Sequence, residues 1–262
     1  MKQPVISIIT ICYNSEASLE ETMKSVLDSG YPSIDYIIID GGSTDRTLQI
    51  VDKYRDRLGY FISEKDKGIS DAFNKGVAAA KGDIIGVINS DDVVMPGALQ
   101  KVAEAFDGET DAYRGNVMIC NPDTNFRGRE IPSMRFPFAP LTVCCAHQGT
   151  FITPAAYKKY GVYNLKFKYM MDYDLLTRFY KRGAKMKYVN ADIAEFRIGG
   201  VSTTTSYFKK RYDIMHVVVD NGGSWLVAIY YYLYMVLYDV ARRTIMALFG
   251  SNFLKRLHYG KA

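Results

Sequence analysis

The sequence is poor in cysteine and has no uncharged run long enough to cross a bilayer. Its cysteines, Cys12, Cys120, Cys144 and Cys145, show neither disulfide-framework nor zinc-site spacing, so we expect reduced thiols. Residues 225–238 are fourteen residues without a charge, whereas a membrane-spanning helix needs about 20 apolar residues. The N-terminus lacks the cleavage site of a signal peptide, and we therefore expect a cytoplasmic protein.

Two nucleotide-binding signatures are also missing. The chain contains neither GxGxxG nor GxxxxGK followed by Ser or Thr, which argues against a Rossmann dinucleotide site and a P-loop. What is present is the composition of a folded protein, with 48% hydrophobic and 23% charged residues and a mean hydropathy of −0.10. The 262 residues fit one large domain, or one domain with an appendage.

Positive charge is concentrated at the C-terminal end. The chain has a formal net charge of +5, and residues 207–262 alone carry eight basic and three acidic side chains. This asymmetry predicts an anionic partner for the segment, either a nucleic acid or a lipid surface, with solvated helix faces as the alternative. The basic residues are Lys209, Lys210, Arg211, Arg242, Arg243, Lys255, Arg256 and Lys261.

A helix is predicted to begin at Trp225. Asp239, Arg242 and Arg243 are spaced i, i+3, i+4, so they share one face and leave the opposite face apolar. The same helix carries tyrosine and tryptophan rings, which are enriched at lipid headgroups. This composition favours a helix that lies in a membrane interface. A core or dimer helix is the alternative. The tyrosines are Tyr230, Tyr231, Tyr232, Tyr234 and Tyr238.

In the first hundred residues, apolar runs alternate with helical patterns, which predicts βαβ units around a parallel sheet. Ser18 and Glu21 have capping-box spacing at the first helix, and Pro96 fits the first turn of a later one. We predict strands at residues 5–11, 36–39, 60–63 and 83–89. Polar residues follow three of these strands, and ligands bind at the carboxyl ends of strands in open α/β sheets.

The second part of the chain, residues 110–206, is less regular. Candidate strands lie at residues 112–119, 145–152 and 193–198, and a helix is predicted at Met171–Lys181. Because no linker separates this part from the first, we expect an extension of the same sheet.

The adjacent carboxylates Asp91 and Asp92 indicate a cation, because they repel each other unless positive charge lies near. Mg²⁺ and Mn²⁺ take such oxygen ligands and also hold substrate phosphates. A solvated turn that caps the next helix is the alternative.

Further polar groups are predicted at the same edge of the sheet. They are Asp40, the loop at residues 65–68 and Asp71. Such a set fits a nucleotide, since carboxylates accept from base N–H groups or ribose hydroxyls, while a lysine such as Lys67 faces the diphosphate.

These stretches together resemble the bacterial, non-processive family 2 glycosyltransferases of the GT-A fold, over residues 4–206. The resemblance rests on IITICYN at residues 8–14, IDGGSTD at 39–45, DKGISDAFNKG at 66–76 and NSDD at 89–92. Later matches are HQ at 147–148, DYDL at 172–175 and GGVS at 199–202. The resemblance implies a Rossmann-like mixed α/β sheet with flanking helices, here followed by a helical tail.

The resemblance also implies residue roles. Thr10, Tyr13 and Asp40 match the nucleoside pocket, with Asp40 accepting from the imide N–H of uracil. Asp71 matches a residue near the nucleotide and donor sugar, Asp91 one that contacts ribose or sugar, and Asp92 the ligand of Mn²⁺ or Mg²⁺.

Asp172 matches the general base that accepts the proton of the attacking hydroxyl. The family often has Glu before this aspartate, whereas this chain has Met171. Asp174 is therefore the alternative base, although it also suits a helix N-terminus with Arg178 as its partner. His147 is an acceptor contact, a metal ligand or a structural histidine.

The resulting hypothesis is an inverting, metal-dependent glycosyltransferase. It would move one sugar from a nucleotide sugar, most simply a UDP-sugar, to a glycan or lipid-linked acceptor in cell-surface polysaccharide synthesis. The QxxRW-like motif of processive relatives is missing, which favours one transfer per encounter. We predict a nucleotide-binding half at residues 1–109, an acceptor-binding half at 110–206 and a basic tail at 207–262.

The tail predicts peripheral attachment to the inner face of the cell membrane, with no nucleic-acid partner. Two other functions stay open. One is a sugar nucleotidyltransferase, although Tyr13-Asn14-Ser15 stands where its Gly-rich phosphate loop would be. The other is a non-catalytic protein that binds a membrane surface.

Overall fold

The computed structural model describes residues 3–121, 126–135, 146–198 and 207–249. Several sequence predictions concern other parts of the chain. Cys144, Cys145, residues 199–202, Lys255, Arg256 and Lys261 lie outside the described residues, as do the side chains of Lys209, Lys210, Asp239, Arg242 and Arg243.

Nine strands form one mixed sheet in the described part of the chain. They are β1 (Ile6–Cys12), β2 (Ile34–Asp40), β3 (Tyr60–Ser63), β4 (Ile84–Val87), β5 (Val93–Val94), β6 (Ala112–Asn121), β7 (Phe126–Glu130), β8 (Thr150–Ile152) and β9 (Met186–Arg197). Their order is β3-β2-β1-β4-β8-β6-β9-β5, and β7 pairs with β6.

The first four strands are parallel, and β8 then pairs antiparallel with both β4 and β6. The second half of the chain therefore extends the same sheet, as the sequence predicts. The boundary between the two halves stays a prediction.

Helices cover the sheet. They are α1 (Leu19–Leu27), α2 (Thr47–Lys53), α3 (Ile69–Ala79), α4 (Ala98–Ala105), α5 (Pro154–Tyr160), α6 (Met171–Lys181), α7 (Tyr207–Asp220) and α8 (Trp225–Phe249). Short 3₁₀ turns occupy Arg55–Arg57 and His147–Gly149.

Two hydrophobic cores hold the sheet from opposite sides. Ile8 of β1 belongs to the core that contains residues of α1 and α4, whereas Ile9 belongs to the core that contains residues of α3, α5 and α6. Burial on both faces is typical of parallel strands and explains their continuous isoleucine and valine runs. The polar residues at the strand ends are therefore attached to a sheet that is packed on both faces.

Two local predictions are wrong. Pro96 lies before α4 instead of in its first turn. Gly97 stands between Pro96 and the helix, and its backbone has the left-handed conformation, with φ 73°. The capping box at α1 does not form either. Ser18 makes no side-chain cap hydrogen bond, and Glu21 instead pairs with Arg197 at 2.6 Å.

Within the described residues of the tail, α7 and α8 turn back on each other at Gly222, where φ is 89°. Ala228 and Met235 of α8 are buried, whereas Leu226, Leu233 and Leu237 are exposed on one face of the helix. No helix in the described residues combines the length and hydrophobicity that crossing a bilayer requires.

Candidate functional site

A cleft of about 850 Å³ opens at the carboxyl ends of β1, β2 and β4. One wall is formed by the loops that follow these strands, and the other includes His147, Lys168, Tyr169, Met171 and Asp172. Of the predicted site residues, Tyr13, Asp91, His147 and Asp172 line the cleft. The structure thus brings together residues that are up to 159 positions apart in the sequence (13 to 172).

The loops after β1 and β2 are joined by hydrogen bonds at the edge of the cleft. Asn14, with φ 48°, accepts from the backbone N–H of Thr44 at 2.9 Å, and its own N–H donates to the Ser43 hydroxyl at 2.8 Å. A positive φ is uncommon outside glycine, but asparagine tolerates it better than most residues. These bonds fix Tyr13, a residue that is 63% exposed, beside Gly41.

Asp40 and Thr10 do not reach the cleft. The Asp40 side chain is fully buried and accepts hydrogen bonds from the backbone N–H groups of Gly42 and Ser43 and from the hydroxyls of Ser43 and Ser63. Thr10 is also buried, with its hydroxyl 3.1 Å from that of Tyr36. Asp40 organises the turn after β2, and Gly41 and Gly42 of this turn line the cleft.

Lys75 lies close to three carboxylates at the end of the cleft that is formed by the loops after β1 and β2. Its ammonium lies 2.8 Å from Glu64, 2.6 Å from Asp66 and 3.4 Å from Asp71. We refer to Glu64, Asp66, Asp71 and Lys75 as the lysine cluster. Partial burial lowers the pKa of Lys75, but its hydrogen bonds to Asp66 and Glu64 outweigh this effect and hold the pKa above its ordinary value.

Asp71 is fixed within the lysine cluster rather than projecting into the cleft. Its carboxylate accepts the backbone N–H of Lys67 at 3.0 Å, which lowers its pKa, and the charge of Lys75 lowers it further. Lys67 and Asp71 do not line the cleft, whereas their neighbours Asp66 and Gly68 do. The sequence predicts that the loop at residues 65–68 lies at this edge of the sheet, but it assigns no separate ligand-binding role to Asp66 or Lys75, which both lie within the matched stretch.

At the other end of the cleft, Asp91 and Asp92 have different environments. Asp91 lines the cleft, whereas Asp92 is fully buried behind it and accepts from the amide of Gln148 at 2.8 Å. Burial raises the pKa of Asp92 to about 7, and the charge of Asp91 contributes. Burial also raises the pKa of Asp91. The prediction that Asp92 binds the metal stays a prediction, with Asp91 as the carboxylate that faces the cavity.

His147 and Asp172 form a pair across the cleft floor. The His147 Nδ1 atom lies 2.8 Å from an Asp172 carboxylate oxygen. Burial lowers the pKa of His147, but the charge of Asp172, the hydrogen bond between them and the charges of Asp92 and Asp91 together raise it above its ordinary value. We refer to Asp91, Asp92, His147 and Asp172 as the aspartate–histidine cluster.

This cluster contains buried polar atoms without a partner. Within the described part of the chain, four buried polar atoms in or near this cluster neither accept nor donate a hydrogen bond. They are Asn89 Oδ1, Asp92 Oδ1, His147 Nε2 and Asp172 Oδ1. Buried polar groups are normally paired. Their concentration here indicates that the cluster receives its missing partners from ligands.

Asp174 is excluded from the cleft by its contacts. It is buried, lies 3.0 Å from Arg178 one turn later in α6 and accepts from Asn221 at 3.2 Å. Of the two aspartates, Asp172 is therefore the one that faces the cavity.

The segment before α6 is held by the tail. Asp213 of α7 is buried and accepts the backbone N–H groups of Lys168 and Tyr169 at 3.1 and 2.9 Å. Lys168 and Tyr169 both line the cleft. The sequence does not predict this contact, because the contact depends on how α7 packs against the rest of the protein.

A divalent cation fits these residues in a particular way. No three His, Cys, Asp or Glu side chains of the described residues converge on one metal position. Mg²⁺ and ions like it are commonly bound through one or two carboxylates and the phosphates of a substrate. The cleft-facing Asp91 and the unpaired oxygen of Asp92 supply the carboxylates for this arrangement.

Comparisons with solved structures place the fold among the GT-A glycosyltransferases. S. aureus TarS, residues 1–349, in complex with UDP-GlcNAc superimposes with a TM-score of 0.65 at 18% identity, covering 94% of this chain and 76% of that chain. A mannosyltransferase from Pyrobaculum calidifontis in complex with GDP-Man and Mn²⁺ gives a TM-score of 0.67 at 15% identity, covering 96% of this chain and 77% of that one.

Sequence comparisons give the family. The PGL/p-HBAD biosynthesis glycosyltransferase of Mycobacterium tuberculosis is 30% identical over 213 residues, which cover 78% of this chain and 81% of the relative. An uncharacterized glycosyltransferase of Haemophilus influenzae is 26% identical over 91% of this chain and 97% of its own length. The family model for glycosyl transferase family 2 matches residues 7–168. The chain is a glycosyltransferase that belongs to this family.

Proposed function

We propose that this glycosyltransferase transfers one sugar from a nucleoside diphosphate sugar to a hydroxyl of a glycan or lipid-linked acceptor, with inversion at the anomeric carbon. The observation that carries the proposal is the position of Asp172. Its carboxylate faces the same cavity as Asp91 and lies 2.8 Å from His147, and its second oxygen is buried with no hydrogen-bond partner among the residues that the structure describes.

Asp172 acts as the general base in this proposal. The acceptor hydroxyl has a far higher pKa than a carboxylate, so its proton must move to Asp172 while the new bond forms. The anomeric carbon gains a bond to the acceptor oxygen as its bond to the diphosphate breaks, and the diphosphate leaves with the electron pair. His147 orients Asp172 and donates to one oxygen, which leaves the other to accept the proton.

Asp91 and Asp92 are proposed to hold Mn²⁺ or Mg²⁺ together with the diphosphate of the donor. When bound, the cation would neutralise the negative charge that develops on the leaving diphosphate. The mannosyltransferase neighbour is in complex with GDP-Man and Mn²⁺, which supports a divalent cation here. Gln148 would position Asp92 through its amide.

A thermal-shift titration tests the proposal. The protein is mixed with UDP, GDP, dTDP or CMP, each with and without Mn²⁺. Ligand at about 100 times its Kd adds roughly 2.7 kcal/mol of stability, which is measurable. We expect UDP to stabilise the protein, and to do so more strongly with Mn²⁺. Failure of every nucleotide to shift the unfolding temperature would overturn the proposed donor class.

A sugar nucleotidyltransferase is distinguished by its product. That enzyme would release pyrophosphate from a nucleoside triphosphate and a sugar phosphate, whereas the proposed reaction releases a nucleoside diphosphate from a nucleotide sugar. We expect the second product alone. A protein that binds vesicles and shows neither reaction would be the non-catalytic alternative.

We further propose that the tail attaches the enzyme to an anionic membrane surface. The exposed leucines of α8 and the basic residues of the tail are the features that an interfacial helix requires. Deleting residues 223–262 removes α8 and retains α7, so it should abolish flotation with anionic vesicles and preserve UDP binding. Replacing Leu226, Leu233 and Leu237 with Gln is the matched change in the full chain. Unaltered flotation of both variants would refute the attachment.

A further inference from the structure

Helix α7 of the tail holds the backbone of the segment that leads into α6. Asp213 is buried in α7, and its Oδ2 atom accepts the backbone N–H groups of Lys168 and Tyr169 at 3.1 and 2.9 Å. From α3, the hydroxyl of Ser70 donates to the carbonyl oxygen of Phe167 at 3.1 Å. The backbone of residues 167–169 is therefore fixed by two helices just before α6 begins.

Packing adds to these hydrogen bonds. Val217 of α7 is fully buried and belongs to the same hydrophobic core as Phe167 and Met171. Near the end of α7, Asp220 lies 2.7 Å from the ammonium of Lys166 in a partly exposed ion pair. Helix α7 is thus joined to this segment along its length and shares a core with the domain.

The start of α6 depends on contacts of this kind, because the local sequence does not fix it. Helices usually begin at Ser, Thr, Asp or Asn, whose side-chain oxygen accepts a backbone N–H of the first turn. The residue before α6 is Met170, whose side chain makes no such bond. Asp172 is the second residue of α6, so the position of its carboxylate follows the place and the direction in which the helix begins.

We infer that Asp213 positions Asp172 for the reaction, because it holds the backbone from which α6 begins. This inference rests on the proposed role of Asp172 as the base. A displacement of about 1 Å at a reacting group can lower a rate about 10²-fold, even when the change is made far from the chemistry. Helix α7 would therefore contribute to catalysis, whereas the membrane attachment proposed above depends on α8.

Two variants of Asp213 separate the hydrogen bonds from the charge. Asp213→Ala leaves two backbone N–H groups without their acceptor, whereas Asp213→Asn keeps a carbonyl oxygen that can accept both. We expect transfer to fall about 10- to 100-fold in Asp213→Ala and to be largely retained in Asp213→Asn. UDP binding measured by calorimetry should be unchanged in both, because the residue acts on the base and not on the donor.

A spectroscopic signal reports the position of Asp172 without any substrate. The ring N–H of His147 that is donated to Asp172 should give a downfield proton signal in NMR spectra of protein labelled with ¹⁵N-histidine. The chain has three histidines, and loss of the signal in His147→Gln assigns it. We expect the wild-type protein and Asp213→Asn to show this signal and folded Asp213→Ala to lose it. A residue that only stabilises the fold would leave the signal of the folded protein unchanged.

Asp220→Asn is the matched control in the same helix. Its partner is the side chain of Lys166 and not the backbone, so the signal should persist. Should Asp213→Ala not fold, Asp213→Glu replaces it. That variant keeps the acceptor but is one methylene longer, and it should move the segment and shift the signal.

The outcomes keep the inference apart from the proposed function. An unchanged signal in Asp213→Ala, or in Asp213→Glu where that variant replaces it, would overturn the inference, as would equal losses in Asp213→Ala and Asp220→Asn. A wild-type protein without the signal would overturn it as well. Unreduced transfer by Asp172→Asn would instead overturn the proposed base and would leave the signal of the wild-type protein in place.

Discussion

The two ends of the cleft hold their carboxylates in opposite ways. In the lysine cluster, each of the three carboxylates lies within 3.4 Å of one ammonium group. In the aspartate–histidine cluster, Asp92 and Asp172 each keep a buried oxygen that has no hydrogen-bond partner among the described residues. The carboxylates of the first cluster are thus paired within the protein, whereas the second cluster keeps buried oxygens that can accept from a ligand or water.

This difference assigns the ends of the cleft to different tasks. Carboxylates that are already paired are held in place and can present an oxygen to a ligand at little further cost. Burial raises the pKa values of Asp91 and Asp92, and groups with shifted pKa values are typical of sites where charge changes during a reaction. Recognition is thus expected near Lys75 and chemistry near Asp172.

The largest effect is expected for Asp172→Asn. An amide cannot accept the proton of the attacking hydroxyl, so transfer should fall by about 10²- to 10⁴-fold. UDP binding measured by calorimetry should be unchanged, because Asp172 is proposed to accept the proton of the acceptor and not to hold the donor.

Asp174→Asn is the matched control within α6. It weakens the contact with Arg178 and should lower the unfolding temperature more than the turnover. Equal losses of turnover in the two variants would contradict the assignment of the base.

A smaller effect is expected for Asp91→Asn. The variant loses a carboxylate that faces the diphosphate, and we expect the extra stabilisation by UDP with Mn²⁺ to fall to that of UDP alone. Stabilisation by UDP without metal should remain. Retention of the full Mn²⁺ effect would mean that Asp91 does not hold the cation, and the same measurement on Asp92→Asn then tests the original assignment.

Metal-free protein should lose stability as the pH rises. The pKa of Asp92 is raised to about 7 in the folded protein, against about 3.9 when unfolded, so the folded state binds the proton more tightly. The stabilisation is complete below about pH 4 and is lost as the pH passes 7, by an amount on the order of a few kcal/mol. Chemical denaturation in EDTA should show this fall, and Asp92→Asn should flatten it.

Much of this arrangement could be predicted from local sequence. The bounds of β3 and α6 agree with the predictions, because hydrophobic periodicity and terminal signals are properties of neighbouring residues. The placement of the strand-end residues also follows from the topology of parallel strands.

Other features depend on contacts between distant residues. The role of Asp40 as the base contact, which the resemblance implies, stays a prediction, and no sequence pattern shows that the hydroxyls of Ser43 and Ser63 donate to its carboxylate. The difference between Asp91 and Asp92 is set by Gln148, 56 residues away from Asp92. Likewise, only the packing of α7 places Asp213 behind the cleft wall. No short-range pattern encodes such contacts.

Lys75→Met should make the lysine cluster resemble the aspartate–histidine cluster, because its carboxylates would lose the ammonium group that pairs with them. Three carboxylates would then lie together without a counter-charge, and their repulsion should lower stability at neutral pH by about 1–2 kcal/mol, a modest effect because the ammonium is partly exposed to solvent. The loss should shrink as the pH falls toward 4, since protonation removes the repulsion. Denaturation curves of variant and wild type at pH 7 and pH 4.5 provide the measurement. A deficit that is equal at both pH values would mean that Lys75 stabilises the fold through its packing rather than through its charge, and the proposed contrast between the two ends of the cleft would then have no electrostatic basis.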